Sequence, residues 1–219
     1  MEALLAADAS LFLTINGLEW GAFGVALFQT VTLVGNLPGV VILLLVIFGL
    51  YGRGRPRMAA ALFLTVALSA GVNGALKSTF MRPRPLIHFS IAEPFEPPPE
   101  PGWGRELKRG EVRLRTRPLT ARSFPSGHAQ HAFAWMIFMA LLAPRGAVVF
   151  VTLALLVALS RVVLGVHFPL DVVVGGALGA ALGAGGFVLG RRWERGSAPV
   201  EEEHEDDQRH GGERDGDGE

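Results

Sequence analysis

The sequence predicts an all-α membrane protein, a bundle of six transmembrane helices. Half of its 219 residues are hydrophobic and its mean hydropathy is +0.37, high for a water-soluble domain. Six apolar stretches of roughly 15 to 20 residues, about the length that crosses the hydrocarbon core, are separated by polar or glycine–proline breaks. Charge is segregated as well. Residues 200–219 hold ten acidic side chains against Arg209 and Arg214, a net of −8, so a chain that is neutral overall carries +8 in its remainder. The absence of cysteine excludes disulfide and thiol chemistry.

Residues 1–17 contain Leu4, Leu5, Leu11, Phe12 and Ile15 near helical spacing, followed by Leu18, with Asp8 and Asn16 elsewhere. They read as an interfacial helix leading into the first span. The stretch lacks the basic n-region and small-residue cleavage site of a signal peptide. The six-span domain covers 18–190, with spans at Leu18–Val34, Leu37–Tyr51, Met58–Leu76, Ser126–Leu142, Ala147–Leu164 and Pro169–Leu189. "GNLPG" breaks the first span from the second, and "GGALGAALGAGG" in the last suits close helix contact through small residues. Residues 86–124 form a long polar connection, Pro-rich and then basic. Residues 191–219 read as a disordered, acidic cytoplasmic tail.

Six crossings put both termini on one side, together with the short loops that hold Arg53, Arg55, Arg57 and Arg145 and the cluster Arg191, Arg192 and Arg195. The positive-inside tendency makes that side cytoplasmic. Parity then brings Lys77, Arg84, Ser126, His128, Arg161, His167 and Asp171 together on the extracytoplasmic face. The basic half of the connection, Arg105 to Arg122, leads straight into "SFPSGH" and reads as a lid whose Arg113, Arg115 and Arg117 attract anionic headgroups.

The residue types fit a phosphate. Lys77, Arg84 and Arg161 supply fixed positive charge, and the arginine fork suits bidentate phosphate binding. "PSG" opens a helix whose free amides and dipole favour an anion, and Gly127 permits close backbone approach. Asp171, in the first turn of the last span, reaches back to His167, fixing one imidazole nitrogen and leaving the other nucleophilic. His128 is suited to proton transfer. His131, one turn further, reads as packing.

These residues resemble a known family. "KSTFMRPRP" (Lys77–Pro85) matches K-x6-RP, "PSGH" (Pro125–His128) matches the second signature, and "SRVVLGVHFPLD" (Ser160–Asp171) matches SR-x5-H-x3-D. Together they resemble the type 2 phosphatidic acid phosphatase superfamily, which also includes vanadium haloperoxidases. The resemblance implies a six-helix membrane lipid phosphatase that needs no metal or other cofactor. It implies attack on phosphorus by His167, orientation of His167 by Asp171, and proton transfer by His128. Lys77, Arg84, Ser126, the Gly127 amide and Arg161 would hold the phosphoryl oxygens. The partner is a membrane lipid phosphate and not a nucleic acid, and oligomeric state is not legible. Undecaprenyl pyrophosphate is the favoured substrate. Phosphatidic acid, phosphatidylglycerol phosphate and lipid A also fit, as does a phosphotransferase using the same site. The apolar spans argue against a haloperoxidase.

Overall fold

The computed structural model describes residues 1–36, 38–42, 45, 49, 54–90 and 97–196. Most of the second expected span and the acidic tail from residue 197 lie outside the described residues.

The described elements are helical, apart from one hairpin. Helix α1 is Glu2–Gly17 and α2 is Gly21–Val31, extended by a 3-10 turn at Thr32–Gly35. Helix α3 is Pro56–Thr79, and α4 is the single turn Pro85–His88. Strands β1 (Leu107–Arg109) and β2 (Val112–Leu114) pair antiparallel, with Lys108 opposite Arg113. Then come α5 (Gly127–Leu142), α6 (Ala147–Val163) and α7 (Pro169–Arg195).

Local chemistry explains the boundaries. Pro56, Pro85 and Pro169 each open a helix at the position where a missing N–H costs nothing. Helix α7 has Asp171 in its first turn and Arg192 and Arg195 in its last, matching the helix dipole at both ends. The expected first span is realised as the 11-residue α2 plus its 3-10 turn. Among the described residues, three helices are long and apolar enough to cross a membrane: Pro56–Thr79, Pro144–Val163 (with its leading 3-10 turn) and Pro169–Arg195. Leu64, Leu68, Val148, Val149, Leu155, Val173 and Leu189 on these helices are all more than half exposed. So large an apolar surface marks an integral membrane protein.

Helix α5 is the axis of the bundle. It buries Ala129, Ala132, Ala134, Trp135, Met136 and Phe138 against α3, α6 and α7. Its closest neighbour is α7, because Gly175, Gly179 and Gly183 form a stripe four residues apart. A Cβ at these positions would run into the backbone carbonyls of Ser126, Gln130 and Ala134 respectively. The start of α5 and the start of α7 are therefore locked to each other by backbone contact.

At one end of the bundle a second apolar cluster surrounds the turn between α6 and α7. Phe12, Phe28, Leu86, Leu114, Val163 and Phe168 belong to it. The turn itself needs Gly165, whose φ is +81° and whose absent Cβ would lie 2.7 Å from the Arg113 carbonyl.

Candidate active site

Each expected site residue sits at one common end of the bundle, at a helix end or in the segment beside it. Lys77 is half-buried in the last turn of α3. Arg84 follows in the extended segment after α3 and is almost fully buried. Its Nε donates to the Ala121 carbonyl at 2.7 Å, and one terminal nitrogen donates to the Val166 carbonyl at 2.8 Å. This clamps the guanidinium between the connection and the α6–α7 turn. Burial lowers Arg84 to about 10, with the Asp171 charge opposing the shift, so it stays a cation at neutral pH.

The second and third motifs hold one another by backbone bonds. The Ser126 amide donates to the Asp171 carbonyl at 2.9 Å. The Arg161 carbonyl accepts from the amides of Val166 and His167, at 3.1 and 3.2 Å. Ser126 is the N-cap of α5, where a serine hydroxyl ordinarily caps the first turn, yet it makes no capping bond. Its Oγ is buried without a hydrogen-bond partner. The Nε of Arg161 is in the same condition, while another of its nitrogens donates to Thr32 Oγ1 at 2.6 Å. The first-turn amides of α5, beginning with Gly127, have no intrahelical acceptor. His128, the second residue of α5, is half-buried within electrostatic reach of Arg161, His167 and Lys77.

The hydrogen-bond partners of His167 identify its tautomer. A terminal nitrogen of Arg84 lies 3.1 Å from His167 Nε2. Arginine has only donors, so Nε2 must be the unprotonated, lone-pair nitrogen. Nδ1 then carries the proton. It lies 3.4 Å from Ser123 Oγ and 3.5 Å from Asp171 Oδ2, a loose pair of acceptors. Burial, reinforced by the charges of Arg84, Arg161 and Lys77, holds the imidazole well below its usual value of 6.5. At neutral pH it is a neutral base with an available lone pair.

Two readings are refined. The sequence explained Gly127 by a ligand, but its absent Cβ would lie 2.9 Å from Asn73 Oδ1. Asn73 in turn donates to Gln130 Oε1 at 2.9 Å, so the glycine also makes room for a buried amide pair beneath the site. The structure also divides the three arginines of the basic connection. Arg115 is fully buried and donates to the carbonyls of Asn16, Val163 and Leu18 and to Glu106 Oε2. It closes the C-terminal ends of α1 and α6, and burial lowers its pKa against the opposing pull of Glu106. Arg113 is tied to Glu106 at 2.8 Å and is near Glu19, while Arg117 is exposed. Arg122 likewise donates to the carbonyls of Lys77 and Ser78 at the end of α3. His131 is buried with its Nδ1 3.1 Å from Ser69 Oγ.

Sequence reasoning missed Asp8, Arg82 and Ser123. Ser123 Oγ donates a short hydrogen bond to Asp171 Oδ2, and Arg82 donates to Asp171 Oδ1 at 2.7 Å. The "RPRP" repeat was the available signal for Arg82, and the four-residue spacing of Asp8, Phe12 and Asn16 was the signal for Asp8. Among the described residues, no group of three or more His, Cys, Asp or Glu side chains is arranged to hold a metal ion.

The pattern of the PAP2 superfamily matches residues 58–195, more than half of the chain and all three motifs. The chain belongs to the PAP2 superfamily. Among PAP2 proteins, it is 34% identical over 123 residues to the lipid A 1-phosphatase of Rhizobium johnstonii, covering 56% of this chain and 44% of that protein. It is 48% identical over 62 residues to the decaprenylphosphoryl-5-phosphoribose phosphatase of Mycobacterium tuberculosis, covering 28% and 34%. The match thus spans less than half the length of either curated relative. In fold it is similar to the transmembrane PAP2-type phosphatidylglycerolphosphate phosphatase of Bacillus subtilis, with a TM-score of 0.66 at 21% identity over 90% of this chain and 89% of that one.

Proposed function

We propose that this protein removes a terminal phosphate from a membrane lipid through a phosphohistidine on His167. The observation that carries this reading is one oriented imidazole set among cationic and unpartnered donors. His167 Nε2 offers its lone pair beside Arg84, and Ser126 Oγ and Arg161 Nε are buried without partners. Buried unsatisfied donors are costly, and the oxygens of a phosphoryl group would satisfy both. Lys77, Arg84 and the Gly127 amide complete the cradle, in which fixed donors stabilise charge on the transferring group.

In the first step a bond forms between Nε2 and phosphorus while the bond to the lipid oxygen breaks. His128, whose protonated form the negative charge of the bound phosphoryl group favours, gives its proton to that oxygen. In the second step His128 takes a proton from water as the water oxygen attacks phosphorus. The N–P bond breaks, inorganic phosphate leaves, and both histidines are restored. Asp171 holds the Nδ1–H side of His167 throughout.

Undecaprenyl pyrophosphate remains the substrate of first choice. The name of one relative carries a polyprenyl chain, and that of the other a phosphate on a lipid headgroup. The full architecture is a six-crossing bundle with both termini cytoplasmic and the site on the extracytoplasmic side. The exposed apolar faces of α3, α6 and α7 support its place in lipid.

The test is phosphate release from purified undecaprenyl pyrophosphate, phosphatidic acid, phosphatidylglycerol phosphate and lipid A in detergent with EDTA present. Release from at least one lipid, loss with His167→Gln and inhibition by vanadate are expected. No release from any lipid, or a strict requirement for added magnesium, overturns the reading. Transfer of labelled phosphate to an acceptor lipid in preference to water would make the protein a phosphotransferase.

A further inference from the structure

We propose that Asp8 of α1 and Arg82 of the segment after α3, which stands at an unspecified position within the first motif, are positioning residues that aim the His167 nucleophile through Asp171. The inference rests on the proposed role of His167 and concerns how that side chain is held.

Asp171 is fully buried, and its two oxygens have separate partners. Oδ2 accepts from Ser123 Oγ and, at 3.0 Å, from the Phe168 amide, and it is this oxygen that faces His167 Nδ1. Oδ1 accepts from Arg82 at 2.7 Å. A carboxylate turns easily about its last torsion, so the bond on Oδ1 acts together with those on Oδ2 to fix where Oδ2 points.

Arg82 is held on three sides. One terminal nitrogen binds Asp171, the other binds Asp8 Oδ2, and the guanidinium carbon lies 4.1 Å from the centre of the Phe168 ring. Asp8 has a second bond, accepting from the Leu170 amide through Oδ1 at 2.8 Å. Leu170 is in the first turn of α7, whose N-cap, Phe168, has no side-chain cap. Asp8 therefore caps α7 from another helix and steadies the turn that carries Asp171.

The chain of contacts runs Asp8, Arg82, Asp171, His167, with Ser123 filling the gap between the last two. It has a direct consequence for the tautomer. Nδ1 keeps its proton because an acceptor faces it, and Nε2 is thereby left free for phosphorus. Loss of Arg82 removes the only salt-bridge partner that Asp171 has from arginine among the described residues, and the carboxylate is then held from the Oδ2 side alone, by Ser123 and the Phe168 amide. A mere structural brace would act on stability and leave the imidazole as it was.

The experiment combines a mutant cycle with a readout that needs no substrate. Arg82→Gln, Arg82→Lys, Asp8→Asn, Asp171→Asn and the double variant Arg82→Gln/Asp171→Asn are purified in detergent, with thermal midpoints measured for each. Arg145→Gln, exposed in the turn between α5 and α6, is the control. Arg82→Gln is expected to lower kcat by about tenfold or more with KM within about twofold, and to add no further loss in the Asp171→Asn background. Arg82→Lys and Asp8→Asn lose less, because each keeps part of the contact set.

In parallel, 15N-histidine spectra, with His167 assigned by its loss in His167→Gln, are expected to show the Nδ1–H form in wild type and a shift toward Nε2–H in Arg82→Gln. Multiplicative losses in the double variant, or an Nδ1–H signal unchanged in Arg82→Gln and Asp8→Asn, overturn the proposal even where stability falls. Wild-type inactivity on every lipid instead counts against the phosphatase reading, and the tautomer spectra still decide this one.

Discussion

The motif-bearing helix ends and the rim that α1 and the hairpin build around them use the same materials, buried polar groups and helix termini, in different ways. At the motifs, Ser126, Arg161 and His167 point reactive atoms inward, and two of those atoms have no partner in the protein. At the rim, every polar side-chain atom of Arg115 and Asn16 has a partner. Arg115 makes four hydrogen bonds, and the Asn16 amide binds the Arg113 and Val163 carbonyls and the Arg113 amide. Such pairing is what a structural role requires, and a catalytic donor must retain capacity. The contrast teaches that a cation near a site is not thereby a ligand for the substrate. Where its hydrogens already go decides that.

Substitutions sharpen the comparison. The largest effect is expected for His167→Gln, which should reduce kcat by at least about 10^4-fold and abolish acid-labile phosphoenzyme while the protein still purifies as a folded species. Near-normal turnover would break the motif side of the comparison. Arg84→Ala removes both a charge-stabilising donor and the bond that identifies Nε2 as the lone-pair nitrogen. A loss of about 10^2- to 10^3-fold in kcat is expected, as for other preorganised donors.

On the rim, Arg115→Ala leaves the carbonyls of Asn16, Val163 and Leu18 without this donor. We expect a stability loss of about 2–4 kcal/mol, read as a lower denaturant midpoint, with kcat of the surviving folded fraction within about threefold. A large specific fall in kcat without loss of stability would erase the distinction drawn above. Arg117→Gln should do least. KM for a pyrophosphate lipid should rise less than about twofold, and only at low salt, where an exposed charge is least screened.

pH separates the regions in a different manner. His167 is depressed by burial first and then by Arg84, Arg161 and Lys77. Its neutral form therefore persists as pH falls through 6.5, and protonation comes only well below. An NMR titration of His167 should show no charge change between pH 7 and 6, and a midpoint near 6.5 would contradict the burial argument. Because the unfolded imidazole takes up a proton where the folded one does not, this group's contribution to stability is present above 6.5 and is lost as pH falls below it.

Much of the site was legible because its chemistry is tied to fixed spacings. Lys77 and Arg84, Ser126 to His128, and Arg161, His167 and Asp171 were all placed at or beside helix ends by motif spacing, and Pro169 marked the opening of α7. Other features were hidden for physical reasons. In α1 the hydropathy pattern points the wrong way. Leu4, Leu5 and Leu11 are exposed, whereas Asp8, Phe12 and Asn16 form the buried face. In a membrane the apolar side can face outward, so the stripe that marks a core in water marks the lipid side here. Arg82 was hidden by its likeness to Arg84, since two arginines next to prolines cannot be told apart until one is seen to meet Asp171 and the other His167. Nothing in composition signals that Arg115 and Arg122 close helix ends, because that use depends on partners that only the folded chain supplies.

The bond between Asp8 and the Leu170 amide joins residues 162 positions apart. A ribosome threading this chain into a bilayer makes α1 long before the start of α7. Until the start of α7 arrives, Asp8 lacks the Leu170 amide and Arg82 has one carboxylate in place of two. Contacts of such long sequence separation are slow to form. The contact between Arg82 and Asp171 therefore forms only after the start of α7 has been made, and a nascent chain arrested before Asp171 would carry two of the three motifs without the carboxylate that faces His167.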